Sequence, residues 1–210
     1  FDEAPATGVF PSFMVEMKQP YIQVPIVMKH GDSLLLFTDG VEEDQRQFRD
    51  SNFQEIMCDA DESEWDDEGY HGNHPGVEDH EEFGLSRIYD VINAVMSGGT
   101  YRLVKYHDPL PDEEQLFDFS ASDRTVQAAV LAMAAVDKVF RLIPDPNAGP
   151  SDKVQVDINI DEFLRKHFVQ YDRYFKNPVP DEQFPEYVNF PYLKEQAQFD
   201  DLTILGVRRI

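Results

Sequence analysis

Alternating apolar and polar positions near the start of the chain predict two neighbouring strands. Every second residue over 22–28 is apolar, which is the period of a half-buried strand, and Pro25 favours an edge or a bulge. Residues 30–32 supply a turn, and residues 33–38 are apolar on both faces, as in a central strand. These two strands are expected to form a hairpin.

Helical spacing of apolar residues dominates the middle of the chain. It predicts helices over residues 85–96, 126–143 and about 160–175, with a shorter one over 45–57. Residues 101–106 read as a short strand, 176–191 hold four prolines and read as a loop, and 202–207 read as a second central strand. Strands at both ends with helices between them indicate a single α+β domain over residues 1–210.

Acidic residues exceed basic ones, most strongly over residues 55–82. The formal net charge is −23, and this segment alone has twelve acids and no Lys or Arg. It is predicted to be an acidic loop insertion, and cation binding by it stays open. The shortage of basic residues argues against a nucleic-acid partner. No apolar run is long enough for a membrane span and the single Cys58 gives no disulfide signature, so no membrane contact and a cytoplasmic location are expected.

Two carboxylates lie at the ends of the two predicted central strands. Asp39 closes the first and Asp200 opens the second. If those strands lie side by side and antiparallel, both carboxylates reach the same rim of the sheet, where a cation would offset their repulsion. Oxygen ligands suit Mg²⁺ or Mn²⁺, and Gly40 would allow a sharp turn and close approach of the ion. The alternative is that both acids belong to ordinary solvated turns.

Three ordered motifs strengthen the metal interpretation. "GDSLLLFTDGVEE", "EEFGLSRI" and "FDDLTILGVRR" resemble motifs of the bacterial SpoIIE-type, PP2C-like (PPM family) serine/threonine phosphatases, over roughly residues 7–43, 81–97 and 199–209. The resemblance implies a β-sandwich with flanking helices and a site for two Mn²⁺ or Mg²⁺ ions. It implies hydrolysis of phosphoserine or phosphothreonine by a metal-activated water.

By motif position, the resemblance makes Asp39 and Asp200 metal ligands. Asp201 is the weaker candidate of the adjacent pair, because it matches the family's variable acid-or-amide position. Gly40 and Thr203 match motif positions without a direct ligand role. The implied partner is a phosphorylated regulatory protein of the anti-anti-sigma type, by analogy with the family.

The chain also departs from the family pattern. The family's earlier motif, with the Asp that bridges both metals, has no match in these residues, so the chain resembles the C-terminal half of the domain. Residues 99–198 form a family-atypical helical insertion, most like spirochaete members. The alternative function is therefore a non-catalytic interaction module that binds a partner through the acidic loop or the added helices.

One further surface bears on assembly. Aromatic residues at helical spacing over 163–175 are expected to pack on the core. If the stripe they form were too wide for one chain to cover, it would be a homodimer or interdomain surface.

Overall fold

The structure is a computed structural model that describes residues 25–47, 65–66, 69–70, 80–103, 115–144, 153–196 and 202–210. The chain divides into two compact units, one of residues 1–33 with 209–210 and one of residues 34–208. In the smaller unit, Gly31 has a φ of +90° and its N–H donates to the carbonyl of Arg209 at 2.8 Å. The predicted turn over residues 30–32 is present there.

The described part contains five helices and thirteen strands. The helices are α1 (Asp39–Glu42), α2 (Gly84–Ser97), α3 (Val126–Phe140), α4 (Ile158–His167) and α5 (Tyr171–Tyr174). The strands are β1 (Ser33–Phe37), β2 (Gln45–Gln47), β3 (Trp65–Asp66), β4 (Gly69–Tyr70), β5 (His80–Glu82), β6 (Thr100–Leu103), β7 (Gln115–Asp118), β8 (Leu142–Pro144), β9 (Lys153–Asp157), β10 (Val179–Pro180), β11 (Tyr187–Pro191), β12 (Leu193–Glu195) and β13 (Ile204–Arg208).

The strands pair in small sheets. Strands β10, β11 and β9 form a three-stranded sheet in that order, and the two-stranded sheets are β1 with β13, β12 with β8, β2 with β5, β3 with β4 and β6 with β7. The α+β class is therefore confirmed. The larger β-sandwich implied by the resemblance stays an expectation.

Helices α2 and α3 form the centre of the core. Ile88, Val91 and Val95 of α2 are fully buried, and α2 ends at Gly98, whose φ of +69° is the left-handed conformation that glycine tolerates best. Helix α3 begins at the cap residue Thr125, whose hydroxyl accepts the Ala128 N–H at 3.2 Å. Both helices were predicted, but α3 ends three residues earlier than expected because residues 142–144 pair with β12.

The predicted helix over 160–175 is interrupted. Phe168 is extended and makes a β-bridge to Phe117, and the Val169 N–H donates to the Leu116 carbonyl at 2.9 Å. The aromatic stripe is nonetheless buried within the chain, as its core interpretation expected; its members are Phe163, Phe168, Tyr171, Tyr174 and Phe175. Strand pairing with β7 thus ended the helix without uncovering its apolar face.

Three local predictions were wrong in the described residues. Residues 25–29 form no strand, so the hairpin is absent, and β1 pairs with β13 instead. Residues 45–47 begin no helix but form β2, and the remainder of that predicted helix lies outside the described residues. Within the predicted loop over 176–191, β10 and β11 form, with Pro180 on the edge strand and Pro191 at a strand end, where a missing N–H is tolerated.

The acidic segment is described only in part. The described residues of 55–82 form the two-residue pair of β3 with β4 and the strand β5, rather than a loop throughout. Among the helices of the described ranges, none combines the length and the apolar composition that crossing a membrane requires.

Candidate functional site

The end of β1 lies beside the start of β13. The Thr38 N–H donates to the Thr203 carbonyl at 3.0 Å, and the Thr203 N–H donates to the Thr38 hydroxyl oxygen at 3.0 Å. Thr38 directly follows β1 and Thr203 directly precedes β13, so the two strands run antiparallel. This side-by-side arrangement is the one that the two-carboxylate hypothesis required.

The two strands are less buried than their sequences indicated. The apolar content of both faces predicted central strands, but the described sheet has two strands. One face packs towards α3, where Gly206 approaches Val126 and Val130. On the other face, the side chains of Leu36 and Leu205 are 50% and 53% exposed.

Asp39 is the first residue of α1 and is exposed to solvent. Its Oδ1 accepts the Gly40 N–H at 3.1 Å, and within the described residues no donor contacts its Oδ2. Val41 of α1 is fully buried in the core and holds this short helix in place. One carboxylate oxygen of Asp39 is therefore free to accept an external ligand.

Gly40 does not make the sharp turn that was predicted for it. It is a buried residue within α1 and does not have a positive φ. The chain leaves β1 through one helical turn, in which the Val41 N–H donates to the Thr38 carbonyl and the Glu43 N–H to the Asp39 carbonyl. A helical turn forms because Val41 can then reach the core while Asp39 stays in solvent.

The second half of the predicted metal site cannot be placed in the same way. Asp200 and Asp201 lie outside the described residues. Thr203 is exposed and contributes its backbone to the strand pairing. In the described ranges, no three His, Cys, Asp or Glu side chains are grouped so that they could hold a metal ion.

A buried ionic cluster follows Asp39 closely along the chain. The Arg141 guanidinium contacts Asp137 Oδ2 at 2.9 Å, Asp44 Oδ2 at 3.2 Å and Glu195 Oε1 at 2.6 Å, and Lys138 Nζ contacts the same Glu195 oxygen at 2.6 Å. Burial lowers the pKa of Arg141, but the surrounding carboxylates more than reverse this and hold it above its usual value. We call these five residues the Arg141 cluster.

A second ionic group holds β2 against β5. Glu81 is fully buried and pairs with Arg46 Nε, and its other oxygen is 2.7 Å from Arg87 Nη2. The Arg46 guanidinium lies 4.3 Å from the centre of the Phe140 ring, and the face of an aromatic ring attracts a cation. Burial lowers the pKa of Arg46, and the Glu81 carboxylate counteracts that effect.

Neither ionic group was predicted from the sequence. Asp137 was the one available signal, because it is an acid inside the apolar run of α3, and a charge there needs a partner. The i, i+4 spacing of Arg141 could have identified its cation, but nothing in the sequence indicated Asp44 and Glu195, which come from distant parts of the chain.

Comparison with known proteins gives no relatives. No family model matches this chain, and neither a curated protein nor a solved structure matches it.

Proposed function

We propose that the chain forms part of a metal-dependent serine/threonine protein phosphatase. The observation that carries the proposal is the pairing of Thr38 with Thr203, which brings together the strand ends on which the phosphatase-like motifs lie. The proposed substrate is a phosphorylated regulatory protein, and the proposed fold of the complete domain is the PP2C-like β-sandwich.

Chain connectivity limits the distance between the candidate ligands. Asp201 and Asp200 precede Thr203 by two and three residues. A chain spans at most about 3.6 Å per residue, so three residues reach at most about 11 Å. Thr38 precedes Asp39 and is hydrogen-bonded to Thr203, so the proposed site needs Asp200 to lie at the same end of the sheet as Asp39, within that reach of Thr203.

The donor chemistry fits a hard divalent ion. Asp39 offers an exposed carboxylate with a free oxygen, and Asp200 adds a second carboxylate, with Asp201 as the weaker choice. When bound, Mn²⁺ or Mg²⁺ supplies activation of a water molecule and neutralisation of charge on the phosphoryl oxygens. The protein's own contribution is to hold Asp39 in position through α1 and the buried Val41.

The test uses the full-length protein that contains this chain. Mn²⁺-dependent hydrolysis of a phosphopeptide is measured for the wild type, Asp39→Asn and Asp200→Asn, with the exposed Asp172→Asn as the matched control. Loss of activity in the first two variants, on the order of a hundredfold or more, is expected because the reaction depends on the metal. Activity equal to that of the control variant would exclude a ligand role.

A non-catalytic interaction module is the second candidate. Exposed apolar side chains on the β1 and β13 sheet favour it, because a surface of this kind suits contact with another polypeptide. A full-length protein that shows no Mn²⁺-dependent hydrolysis at all would support this candidate over the phosphatase.

A further inference from the structure

The Arg141 cluster has one more acid than base. It combines the carboxylates of Asp44, Asp137 and Glu195 with the cations of Lys138 and Arg141. Asp44 and Asp137 are 1% and 2% exposed, and Arg141 is 5% exposed. An uncompensated charge in such surroundings is strongly unfavourable, so the cluster needs one more positive charge.

The Arg141 cluster also has too few hydrogen-bond donors for its carboxylate oxygens. Lys138 Nζ and Arg141 Nη1 both contact Glu195 Oε1, and Arg141 Nη2 and Nε donate to Asp137 Oδ2 at 2.9 and 3.3 Å. Asp44 Oδ2 is 3.2 Å from Nε, but neither of its oxygens accepts a hydrogen bond from the described residues, and nor does Asp137 Oδ1. Buried carboxylate oxygens without donors are unusual in folded proteins.

We propose that Asp44 and Asp137 share one proton, which completes the Arg141 cluster and makes it a pH-sensitive anchor for the segment that follows Asp39. The proton comes from solvent. It converts one carboxylate into an O–H donor for the other, and it removes the excess negative charge. The Arg141 guanidinium contacts one oxygen of each carboxylate, Asp44 Oδ2 and Asp137 Oδ2, and the other oxygens remain available for the proton.

The surroundings of Asp44 favour its protonated form. Burial raises the pKa of Asp44 to about 8, the adjacent Asp137 and Glu195 act in the same direction, and Arg141 opposes them. The groups that face Asp44 are Asp137 and Arg141 at α3 and Glu195 of β12, with Lys138 paired to Glu195. The proton is therefore bound at neutral pH and is lost as the pH rises through about 8.

The anchor connects the Asp39 region to the inserted segment of residues 99–198. Asp44 is five residues beyond Asp39, and its carbonyl accepts the Phe83 N–H at 2.7 Å. Farther along, the Gln47 N–H donates to Gln196 Oε1 at 2.9 Å. Without the proton, two like charges would face each other at Asp44, and the support beneath α1 would loosen.

The first experiment tests the proton alone. A ¹³C-carboxyl NMR titration is expected to show one aspartate side chain with a midpoint near pH 8, which is absent in Asp44→Asn. Asp137→Asn is expected to lower that midpoint because it removes the neighbouring negative charge, so it keeps the test decisive if Asp44→Asn does not fold. Asp172→Asn, at an exposed site, is expected to leave it unchanged. If every aspartate titrates below pH 6, no shared proton exists.

The second experiment tests the link to metal binding, and this link rests on the proposed function. Calorimetric Mg²⁺ affinity of the full-length protein is expected to fall about fivefold or more between pH 7 and 9 in the wild type. It is expected to stay nearly constant in Asp44→Asn, which mimics the protonated state.

The two hypotheses fail in different ways. Wild-type affinity that does not change over this pH range overturns the anchoring role. Absence of Mg²⁺ binding at every pH, together with a carboxyl midpoint near 8, refutes the proposed metal site but leaves the shared proton intact.

Discussion

Replacing Gly206 by alanine tests whether the close approach of β13 to α3 holds the candidate site together. A Cβ at Gly206 would lie 2.1 Å from Val126 Cγ1 and 3.1 Å from Val130 Cγ2. Ordinary contact begins at 3.4 Å, so Val126 or the strand must move by at least 1.3 Å, the difference between 3.4 and 2.1 Å. A valine in a helix has one strongly preferred rotamer, so its side chain cannot easily give way.

The size of the effect follows from two opposing contributions. Overpacking of this kind costs about 1–3 kcal/mol. The loss of glycine's flexibility in the unfolded chain offsets about 0.4–1 kcal/mol of that cost. The difference is about 0–2.6 kcal/mol, and we expect Gly206→Ala to lower the free energy of unfolding by about 1–2 kcal/mol, near the middle of that range.

Urea unfolding followed by circular dichroism measures this free energy. Gly99→Ala is the matched control: its Cβ would meet only Ser97 Oγ as close as 3.2 Å, and we expect a change within about 0.5 kcal/mol. The double variant Gly206→Ala/Val126→Ala removes the clashing methyl group. It should be about as stable as Val126→Ala alone, which gives a favourable coupling energy of about 1–2 kcal/mol.

Two outcomes of these measurements would contradict the explanation by a clash between Gly206→Ala and Val126. If Gly206→Ala unfolds at the same urea concentration as the wild type, the strand and the helix are not in tight contact. If the double variant shows the plain sum of the two single losses, the clash with Val126 is not the cause.

Two further predictions concern charged side chains away from the candidate site. Glu81→Gln should lower the free energy of unfolding by about 3–5 kcal/mol, because it removes the buried carboxylate that contacts both Arg46 and Arg87, whereas the exposed Glu162→Gln should change little in the same urea assay. Asp181 accepts hydrogen bonds from Asn189 and from nearby backbone N–H groups, which hold its pKa below the usual 3.8. The stabilisation from the ionised Asp181 should be complete above pH 3.8 and should be lost as the pH falls below it. Asp181→Asn should therefore weaken the dependence of unfolding on acid between pH 4 and 2. An unchanged loss of stability over this range would contradict this account.

The elements with a clear local pattern were predictable. Helix α2 follows apolar spacing over 85–96 and is capped by Gly98. Helix α3 begins as predicted at Val126 for the same reason. These signals are local, because a helix satisfies its own backbone hydrogen bonds and needs only one apolar face.

The elements that depend on a partner were not predictable in the same way. Residues 25–29 carry a strand pattern but form no strand, whereas β10 and β11 form in a segment that contains prolines. A strand needs a neighbouring chain segment to accept its hydrogen bonds, and the sequence of the strand does not identify that segment. The break between α4 and α5 also depends on a distant segment, since the Val169 N–H donates to the Leu116 carbonyl of β7.

By itself, the sequence determined the α+β class, the acidic character, the span of α2, the start of α3 and the position of Asp39 at a strand end. Only the tertiary structure decided that β1 pairs with β13 and that Arg141 gathers carboxylates from Asp44, Asp137 and Glu195. Periodicity reports which face of an element avoids water, so it can be read from a few consecutive residues. Pairing of strands and of buried charges joins positions far apart in the chain, and their energies depend on a geometry that exists only after folding.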